Sequence, residues 1–315
     1  MLGGVSSSMK PLFALVLLFA LPALAQQKDK TARLQSMDVN KDGKLTKEEL
    51  GAQFWNRASG YDANSDGVLD AAELAAMQEK GRRGKEEQAR PGGVSSAFEV
   101  REFKGTNGET IRYSLFVPKD KPAGLPLVLC LHGAGGNTAA PNLLAAPAMQ
   151  AKHPCIVMAP ACDGKSTRWA KSEFRGGLEV RSVMPELMEA LDAVAAETKA
   201  DAKRLYLTGQ SMGGMGTWGI IAEHASRFAA AVPICGIWQP VDAPKMNGVA
   251  IWAFHGTDDN AVPVSGSRDM IEALKKAAVK PEPKYTEFPG VGHGSWEPAY
   301  AKAELWEWMF AQKRE

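Results

Sequence analysis

Apolar residues in the C-terminal part of the chain occur in two periodic patterns. Continuous apolar runs of strand length recur at Leu127–Leu131, Ile156–Ala159, Leu205–Thr208, Ala229–Pro233, Ala250–Phe254 and Tyr285–Phe288. Segments with apolar residues at helical spacing lie between or after them at Val183–Lys199, Met212–His224, Ser265–Ala278 and Pro298–Ala311. Buried strands that alternate with amphipathic helices predict a mostly parallel sheet with helices on both faces.

A second strand pattern precedes these runs. Phe98 to Lys104 and Ile111 to Val117 alternate apolar and polar residues and flank the turn dipeptide Asn107-Gly108, which predicts an antiparallel hairpin. An antiparallel start followed by parallel strands and helices is the layout of an α/β-hydrolase. The sequence therefore predicts an α/β fold of this type over residues 97–315.

The first 25 residues have a different pattern. Met9-Lys10 precedes the apolar run Pro11 to Leu24, and residues 23–25 read Ala-Leu-Ala. A positive start, a short apolar segment and small residues at its end predict a secretory signal peptide cleaved after Ala25, with Met9 as the true start. A retained membrane anchor is the alternative, although the run is short for a membrane span. We therefore expect a secreted or periplasmic protein without membrane association after cleavage.

Residues 26–80 contain a repeated pattern of twelve residues, Asp-x-Asn-x-Asp-Gly with Glu at position twelve, which resembles a bacterial EF-hand pair. Loop one spans residues 38–49 and loop two spans residues 62–73. A calcium ion takes about six to eight hard oxygen ligands. The predicted ligands are Asp38, Asn40, Asp42, the Lys44 carbonyl and Glu49 in loop one, and Asp62, Asn64, Asp66, the Val68 carbonyl and Glu73 in loop two.

The spacing of the two loops limits the helices between them. Only Leu50 to Tyr61 separates the loops, which is too short for two full helices. We expect a small all-α EF-hand module with shortened helices, in which Leu45 and Leu69 meet in a short two-stranded bridge. Ca²⁺ is expected to stabilise this module rather than to act in catalysis.

A linker is predicted between the module and the hydrolase segment. Residues 81–96 include Gly81–Glu87 and Pro91–Gly93, which have little apolar content and many turn formers. The predicted domain organisation is therefore residues 1–25 as the signal peptide, 26–80 as the EF-hand pair, 81–96 as the linker and 97–315 as the catalytic domain.

The sequence Leu205 to Gly214 contains the strongest candidate for a nucleophile. It combines an apolar strand, the motif Gly-x-Ser-x-Gly around Ser211, and the start of a helix. In this context the motif forms a nucleophile elbow, a turn so tight that the residues flanking the serine must be small. We predict that Ser211 projects above the edge of the sheet.

A serine hydroxyl needs a general base, and the base needs an acid that orients it. His255 and His293 are the histidines downstream of Ser211 and its helix. His293 lies in a Gly-rich loop after the last strand and is the predicted base, whereas His255, at a strand end, is interpreted as packing and loop support. The acid is Asp258 or Asp259, and spacing alone does not separate them.

The oxyanion of an acyl-transfer reaction needs preorganised N–H donors. The Met212 N–H, next to the nucleophile, is one candidate. The second is expected from the small-residue loop after Leu127–Leu131, where we favour the Ala134 N–H, with Gly133 as the alternative. His132 in the same loop is interpreted as a hydrogen-bonded anchor.

These motifs together resemble the secreted esterase group of α/β-hydrolases often called "predicted peptidase", which is close to feruloyl esterases, polyhydroxybutyrate depolymerases and dienelactone hydrolases. The resemblance rests on Leu131–Gly136, Tyr206–Trp218, Ala231–Gly236, Trp252–Pro263 and Tyr285–Trp296. It implies that the acid is the fourth residue after the histidine of His-Gly-x-x-Asp, which selects Asp259. Gly294 departs from the group, which often has Asp after the catalytic histidine. The resemblance further implies hydrolysis of carboxylic esters without a cofactor.

Composition and the remaining residues narrow the function classes. The formal net charge of +1 gives no indication of nucleic-acid binding. The cysteines are Cys130, Cys155, Cys162 and Cys235; they lack metal-ligand spacing, and either a Cys155–Cys162 bridge or no bridge is expected. Three tryptophans lie near the predicted loops, and each either lines a substrate pocket or packs in the core. They are Trp169, Trp238 and Trp296.

The sequence therefore predicts a secreted serine carboxylesterase with a calcium-binding module, acting on a small-molecule or polysaccharide-linked ester. One alternative is a serine peptidase of the prolyl-oligopeptidase type, which would use the same residues. Another is a calcium-dependent binding or scaffold protein with a vestigial hydrolase domain, which the filled positions Ser211, Asp259 and His293 disfavour. No sequence feature specifies an oligomeric state.

Overall fold

The computed structural model describes residues 37–77, 91–119, 122–136, 139–170 and 180–315. The chain divides into two compact units, Met1–Gly84 and Lys85–Glu315. The predicted signal peptide lies outside the described residues. None of the helices in the described ranges combines the length and the apolar character that crossing a bilayer requires.

The N-terminal unit is built around a bridge between loop one and loop two. Strand β1 (Leu45–Thr46) pairs antiparallel with β2 (Val68–Leu69), and Leu45 lies opposite Leu69, which confirms the predicted bridge. Both leucines are buried and form a small apolar core with Leu50 and Ala58. The two loops therefore share one core.

Helix α1 (Lys47–Ala58) leaves loop one and is interrupted after its first turn. It begins with a capping box, in which the Thr46 hydroxyl accepts a hydrogen bond from the Glu49 N–H and the Glu49 carboxylate accepts one from the Thr46 N–H. Gly51, with φ 70° and ψ 155°, is not helical. The break leaves two short helical pieces, as expected for a compact module.

A 3₁₀ turn at Ser59–Tyr61 follows, and the chain is helical again over residues 71–77.

The C-terminal unit contains an eight-stranded sheet with the strand order β12-β11-β10-β9-β5-β6-β4-β3. The strands are β3 Glu99–Lys104, β4 Thr110–Phe116, β5 Leu127–Leu131, β6 Ile156–Ala161, β9 Leu205–Gln210, β10 Ala230–Ile234, β11 Ala250–Gly256 and β12 Lys284–Phe288. β3 and β4 form the predicted antiparallel hairpin, and β4 continues antiparallel to β6. In this sheet β6, β5, β9, β10, β11 and β12 are parallel to one another.

Helices cover both faces of this sheet. They are α2 Ala140–Ala145, α3 Pro147–Lys152, α4 Met184–Thr198, α5 Met212–His224, α6 Ser265–Lys276, α7 Trp296–Ala301 and α8 Ala303–Ala311. Successive residues of β5 point into different apolar clusters: Leu127 and Leu129 pack with α4, α5 and α6, whereas Val128 and Cys130 pack with α2, α7 and α8. This alternation is typical of a strand buried on both faces. The architecture is the predicted α/β-hydrolase fold.

Some element boundaries differ from the sequence prediction. The segment predicted as one helix, Pro298–Ala311, is two helices, because Lys302 between α7 and α8 has an extended backbone with φ −74° and ψ 113°. β9 continues two residues past Thr208, because Gly209 and Gln210 still pair with β10. A separate parallel pair, β7 (Thr167–Arg168) with β8 (Arg181–Ser182), was not predicted.

The end of the predicted linker packs against the hydrolase unit. Val94 is fully buried, the Ser114 hydroxyl donates to the Pro91 carbonyl at 2.9 Å, and the Asn142 side chain accepts from the Ser95 N–H at 2.8 Å. Residues 91–95 of the predicted linker therefore pack in the hydrolase unit, and residues 81–90 lie outside the described residues.

All four cysteines are free thiols, so the Cys155–Cys162 bridge considered from the sequence is not formed. Cys155 instead contacts Gln150, whose side chain also bonds the Cys155 backbone. Burial raises the pKa of Cys155, Cys162 and Cys235 to about 12. These thiols are therefore protonated at neutral pH.

Candidate active site and metal-binding loops

The turn between β9 and α5 has the geometry of a nucleophile elbow. Ser211 occupies it with φ 55° and ψ −118°, a strained conformation for a residue with a side chain. A Cβ atom on Gly209 would lie 2.4 Å from the Gly213 carbonyl oxygen, and one on Gly213 would lie 2.2 Å from the Leu131 carbonyl oxygen. Both positions flanking the serine motif therefore require glycine. The Ser211 N–H donates to the Ile234 carbonyl at 2.9 Å, which fixes the turn to β10.

The structure brings Ser211, His293 and Asp259 into one hydrogen-bonded line. The Ser211 Oγ lies 2.9 Å from His293 Nε2, and His293 Nδ1 lies 2.8 Å from Asp259 Oδ2. Because a carboxylate only accepts, the ring proton belongs on Nδ1, which leaves Nε2 free to accept the Ser211 proton. The order Ser, Asp, His along the chain agrees with the order expected for this fold.

The environment of the two aspartates is different. Asp259 is buried, and its Oδ1 accepts the N–H groups of Ala261 and Val262, each at 2.9 Å. Burial acts to raise the pKa of Asp259, but these N–H groups and His293 outweigh it and hold the pKa below its usual value. Asp258 is exposed and bonds the Thr257 hydroxyl. Only Asp259 therefore offers a fixed carboxylate to His293.

The loop that carries His293 crosses the end of β11 at Gly256. A Cβ atom there would lie 2.1 Å from the Val291 carbonyl oxygen, so a side chain would push this loop away. The Asp258 N–H donates to the same carbonyl at 3.0 Å. A Cβ atom on Gly294 would meet nothing within 4 Å. The Cβ atom of the aspartate that the esterase group often has here would therefore make no packing contact.

The loop after β5 passes beside Ser211. A Cβ atom on Gly133 would lie 3.5 Å from the Ser211 Cβ, which places the Gly133-Ala134 backbone next to the nucleophile. The Met212 N–H belongs to the first turn of α5, where N–H groups have no helical acceptor. These are the positions from which N–H donors could reach an oxyanion.

His132 anchors this loop, as the sequence suggested. Its Nδ1 donates to the Gly133 carbonyl at 2.7 Å, its Nε2 accepts from the Cys162 N–H at 3.1 Å, and its own carbonyl accepts from Trp169 Nε1 at 3.0 Å. Burial lowers the pKa of His132, and a neutral ring fits both contacts. His132 therefore connects the loop after β5 to Cys162, which follows β6.

The loop after β6 was missed from the sequence. A Cβ atom on Gly164 would lie 3.4 Å from the Met212 Sδ and 3.5 Å from the Ala134 carbonyl oxygen, so this loop borders both candidate oxyanion residues. Asp163 fixes it by accepting the N–H groups of Lys165, Ser166 and Thr167. The Asp-Gly pair followed by Ser-Thr was the available signal of such a turn.

The three tryptophans considered for a pocket have different surroundings. Trp169 and Trp238 are buried in the core cluster, where they pack against the glycines of α5. Trp296 is half-buried, and its ring meets the His293 ring edge-on at 5.4 Å. Of the three, Trp296 is the one beside the candidate site.

Loop one and loop two have matching internal hydrogen bonds. Glu49 accepts the N–H groups of Val39 at 3.0 Å and Thr46 at 2.9 Å, and Glu73 accepts those of Ala63 at 2.8 Å and Asp70 at 2.9 Å. The glycines at position six, Gly43 and Gly67, have φ 79° and 81°. Both loops therefore adopt the same closed turn, in which the position-twelve carboxylate faces the start of the loop.

The chemistry of these loops fits a hard cation. Asp38 Oδ1 is buried and has no hydrogen-bond partner within the described residues. A buried carboxylate oxygen without a donor is costly, and a bound cation removes that cost. The Asp70 carboxylate, at position nine of loop two, caps the following helix by accepting the Ala72 and Glu73 N–H groups at 2.8 and 2.9 Å. Asp70 would therefore contribute to a cation mainly through its charge.

Family models match both parts of the chain. The model of the dienelactone hydrolase family matches residues 118–309, which include the whole candidate site. An EF-hand model matches residues 32–55, which include loop one.

Two curated relatives are esterases or depolymerases by name. The chain is 24% identical over 210 residues to a bifunctional acetylxylan esterase/xylanase of Neocallimastix patriciarum, covering 63% of this chain and 30% of the relative. It is 30% identical over 135 residues to poly(3-hydroxyalkanoate) depolymerase C of Paucimonas lemoignei, covering 42% of this chain and 33% of the relative. The matched region is thus about a third of the length of these relatives.

Solved structures show the same fold. A thermostable esterase is 36% identical with a TM-score of 0.64, covering 69% of this chain and 64% of that one. A feruloyl esterase module from Clostridium thermocellum in complex with sinapinate is 17% identical with a TM-score of 0.51, covering 69% and 89%. At that identity the second likeness concerns the fold alone.

Proposed function

This chain belongs to the dienelactone hydrolase family, and on that premise we propose that it is a secreted serine esterase that cleaves carboxylic esters. The observation that carries the proposal is the line from Ser211 Oγ through His293 to the buried Asp259, with distances of 2.9 and 2.8 Å. The esterases among its relatives support hydrolysis as the reaction class.

The proposed mechanism uses an acyl-enzyme. Ser211 attacks the ester carbonyl while His293 Nε2 takes its proton, and Asp259 holds the Nδ1–H tautomer and stabilises the imidazolium that forms. The N–H groups of Met212 and Ala134 stabilise the oxyanion. His293 then protonates the leaving alcohol, and a water activated by the same ring hydrolyses the acyl-serine. This hydrolysis releases the carboxylic acid, and His293 returns the proton that it takes from the water to Ser211.

The proposed substrate is a small-molecule or polysaccharide-linked ester. The name of one relative, an acetylxylan esterase, points to a polysaccharide-linked ester, whereas the name of the other, a poly(3-hydroxyalkanoate) depolymerase, points to ester hydrolysis in general. The half-buried Trp296 beside His293 offers an aromatic surface for the acyl or sugar group.

The experiment that tests this function is an assay of the purified protein on acetyl, butyryl and feruloyl esters and on a panel of short peptides. Ester hydrolysis with little peptide hydrolysis is the expected outcome, because the curated relatives that the chain matches are an esterase and a poly(3-hydroxyalkanoate) depolymerase by name. Preferential cleavage of peptides would instead support the peptidase alternative. Absence of both activities in folded protein would favour a binding protein with a vestigial hydrolase domain.

The N-terminal module is proposed to bind Ca²⁺ for stability. Calcium titration of the full chain is expected to give dissociation constants of about 10⁻⁴–10⁻³ M. Loop two should bind more tightly, because loop one carries Lys41, Lys44 and Lys47, whose charges oppose a cation, whereas residues 62–73 contain no lysine. Chelator should lower the melting temperature of the module. Chelator should leave kcat on a small soluble ester unchanged, since the loops belong to a separate compact unit.

Paired variants separate the two loops. Glu73→Gln should weaken the tighter binding step in calorimetry, and Glu49→Gln should weaken the other. The ranking is wrong if Glu49→Gln removes the tighter step. Loss of small-ester turnover in chelator would show coupling of the module to the active site and would contradict a purely stabilising role.

A further inference from the structure

His255 is a fully buried histidine at the end of β11 that the proposed proton transfers do not use. Its Nε2 lies 3.0 Å from the Val262 carbonyl oxygen and 3.3 Å from Asp259 Oδ2. Its Nδ1 lies 2.7 Å from the Ser267 hydroxyl. The ring therefore joins the loop that carries Asp259 to the first turn of α6.

The partners of the two nitrogens determine where the ring proton lies. A carbonyl and a carboxylate only accept hydrogen bonds, so Nε2 must carry a proton. The single proton of the Ser267 hydroxyl has two acceptors within reach, His255 Nδ1 at 2.7 Å and the Gly236 carbonyl at 3.1 Å, and a neutral ring requires it on the shorter contact, to Nδ1. Burial lowers the pKa of His255, although the Val262 carbonyl and Asp259 act to raise it. The ring is therefore neutral at pH 7, with its proton on Nε2.

The charged groups around this ring come from four segments, namely two loops, β12 and α6. Asp259 and His293 lie on the two loops of the candidate site, and Glu287 on β12 is the cross-strand partner of His255. Arg268 on α6 binds the Glu287 carboxylate with two hydrogen bonds of 2.6 and 2.7 Å. Since Arg268 neutralises Glu287, the charge that the Nε2–H group meets directly is that of Asp259.

We propose that His255 is a positioning residue, whose Nε2–H shares the Oδ2 atom of Asp259 with His293. This inference rests on the proposed function of the triad. Asp259 Oδ1 is already fixed by two backbone N–H groups, and Oδ2 faces His293 Nδ1 at 2.8 Å. The Nε2–H of His255, whose nearer acceptor is the Val262 carbonyl at 3.0 Å, is a second and longer donor to Oδ2 at 3.3 Å. The second donor restricts rotation of the carboxylate and withdraws negative charge from the oxygen that His293 uses.

Loss of this donor should have two kinetic effects. The carboxylate would hold His293 less firmly, which slows proton transfer and lowers kcat without a matching change in KM. Oδ2 would also carry more negative charge and would favour the protonated form of His293. In a plot of kcat/KM against pH, the acid limb is the range in which the base becomes protonated. This limb should therefore move to higher pH.

Two substitutions separate the ring nitrogens. In His255→Asn the amide occupies the place of Nδ1 and loses the bond to Asp259, whereas in His255→Gln the amide nitrogen can occupy the place of Nε2. We expect H255N to lose kcat by about 10- to 100-fold, because a misplacement of about 1 Å at a reacting group can cost on the order of 10². Its acid limb should move up by as much as about one pH unit. H255Q should retain most of kcat and the position of the acid limb.

The ring proton can also be observed without any variant. Nitrogen NMR of the full-length protein should show the Nε2–H tautomer of His255, and the low-field Nδ1–H signal of His293 should shift in H255N and return in H255Q. A Nδ1–H tautomer at His255 would overturn the inference. Equal loss of kcat in both variants with an unmoved acid limb would also overturn it, since His255 would then be only structural. If Ser211→Ala retained full activity, the proposed triad itself would fail, which is a distinct result.

Discussion

Ser211→Ala is expected to reduce ester turnover by several orders of magnitude, towards the roughly 10³–10⁴-fold residual enhancement that remains when a triad member is lost. The substitution removes the Oγ atom that lies 2.9 Å from His293 Nε2 and forms the acyl bond. Binding and the oxyanion donors remain. The measurement is kcat/KM on the best ester of the substrate panel, with wild-type and variant protein prepared in parallel.

The fold should tolerate this substitution. Alanine keeps the Cβ atom, so the backbone strain at φ 55° is unchanged, and the N–H bond to the Ile234 carbonyl does not depend on the side chain. The melting temperature of the variant should therefore differ little from that of the wild type. A fluorophosphonate reagent should label Ser211 in the wild type, detected by mass spectrometry, and should fail to label the variant. Near-normal turnover in a folded variant would exclude the serine mechanism.

Asp259→Asn is expected to lower kcat by roughly 10⁴-fold. The asparagine side chain can still accept the N–H groups of Ala261 and Val262, but its amide nitrogen would then face His293 Nδ1. The ring would have to carry its proton on Nε2, pointing at the Ser211 hydroxyl, and could not act as the base. The loss should therefore appear in kcat with little change in folding.

Asp258→Asn is the matched control for this substitution. Asp258 precedes Asp259, is exposed, and contacts the Thr257 hydroxyl rather than a histidine. Its replacement should leave most of kcat intact. A larger effect at Asp258 than at Asp259 would move the orienting acid by one residue and contradict the geometry described above.

The sheet was predictable because its parallel strands are buried on both faces. Leu127–Leu131 reads as a continuous apolar run for that reason, and its predicted and observed bounds agree. The break at Lys302 was not visible, since the residues on both sides favour helix and the interruption is a matter of backbone geometry at one position. The pair β7 and β8 has two residues in each strand, too few to show a period.

Within the site, sequence motifs identified those residues whose roles depend on their neighbours along the chain. Ser211 was identified because the elbow is a continuous stretch, and His293 because of its place after the last strand. Spacing could not separate Asp258 from Asp259, since the difference lies in burial and in two backbone hydrogen bonds. The role proposed for His255 depends on neighbours that the fold brings together, so the sequence alone suggested only packing and loop support.

The strand order has a consequence for how the enzyme would lose activity. Ser211 follows β9, which has neighbours on both sides, whereas His293 follows β12, which in the part of the chain that the structure describes is an edge strand paired with β11 alone. Edge segments open more readily than central ones, through fluctuations that leave the remainder folded. The nucleophile and its base thus lie on segments of unequal local stability. Fraying of the outer strand would separate the base from an intact elbow, so that heat inactivation would begin below the temperature of global unfolding.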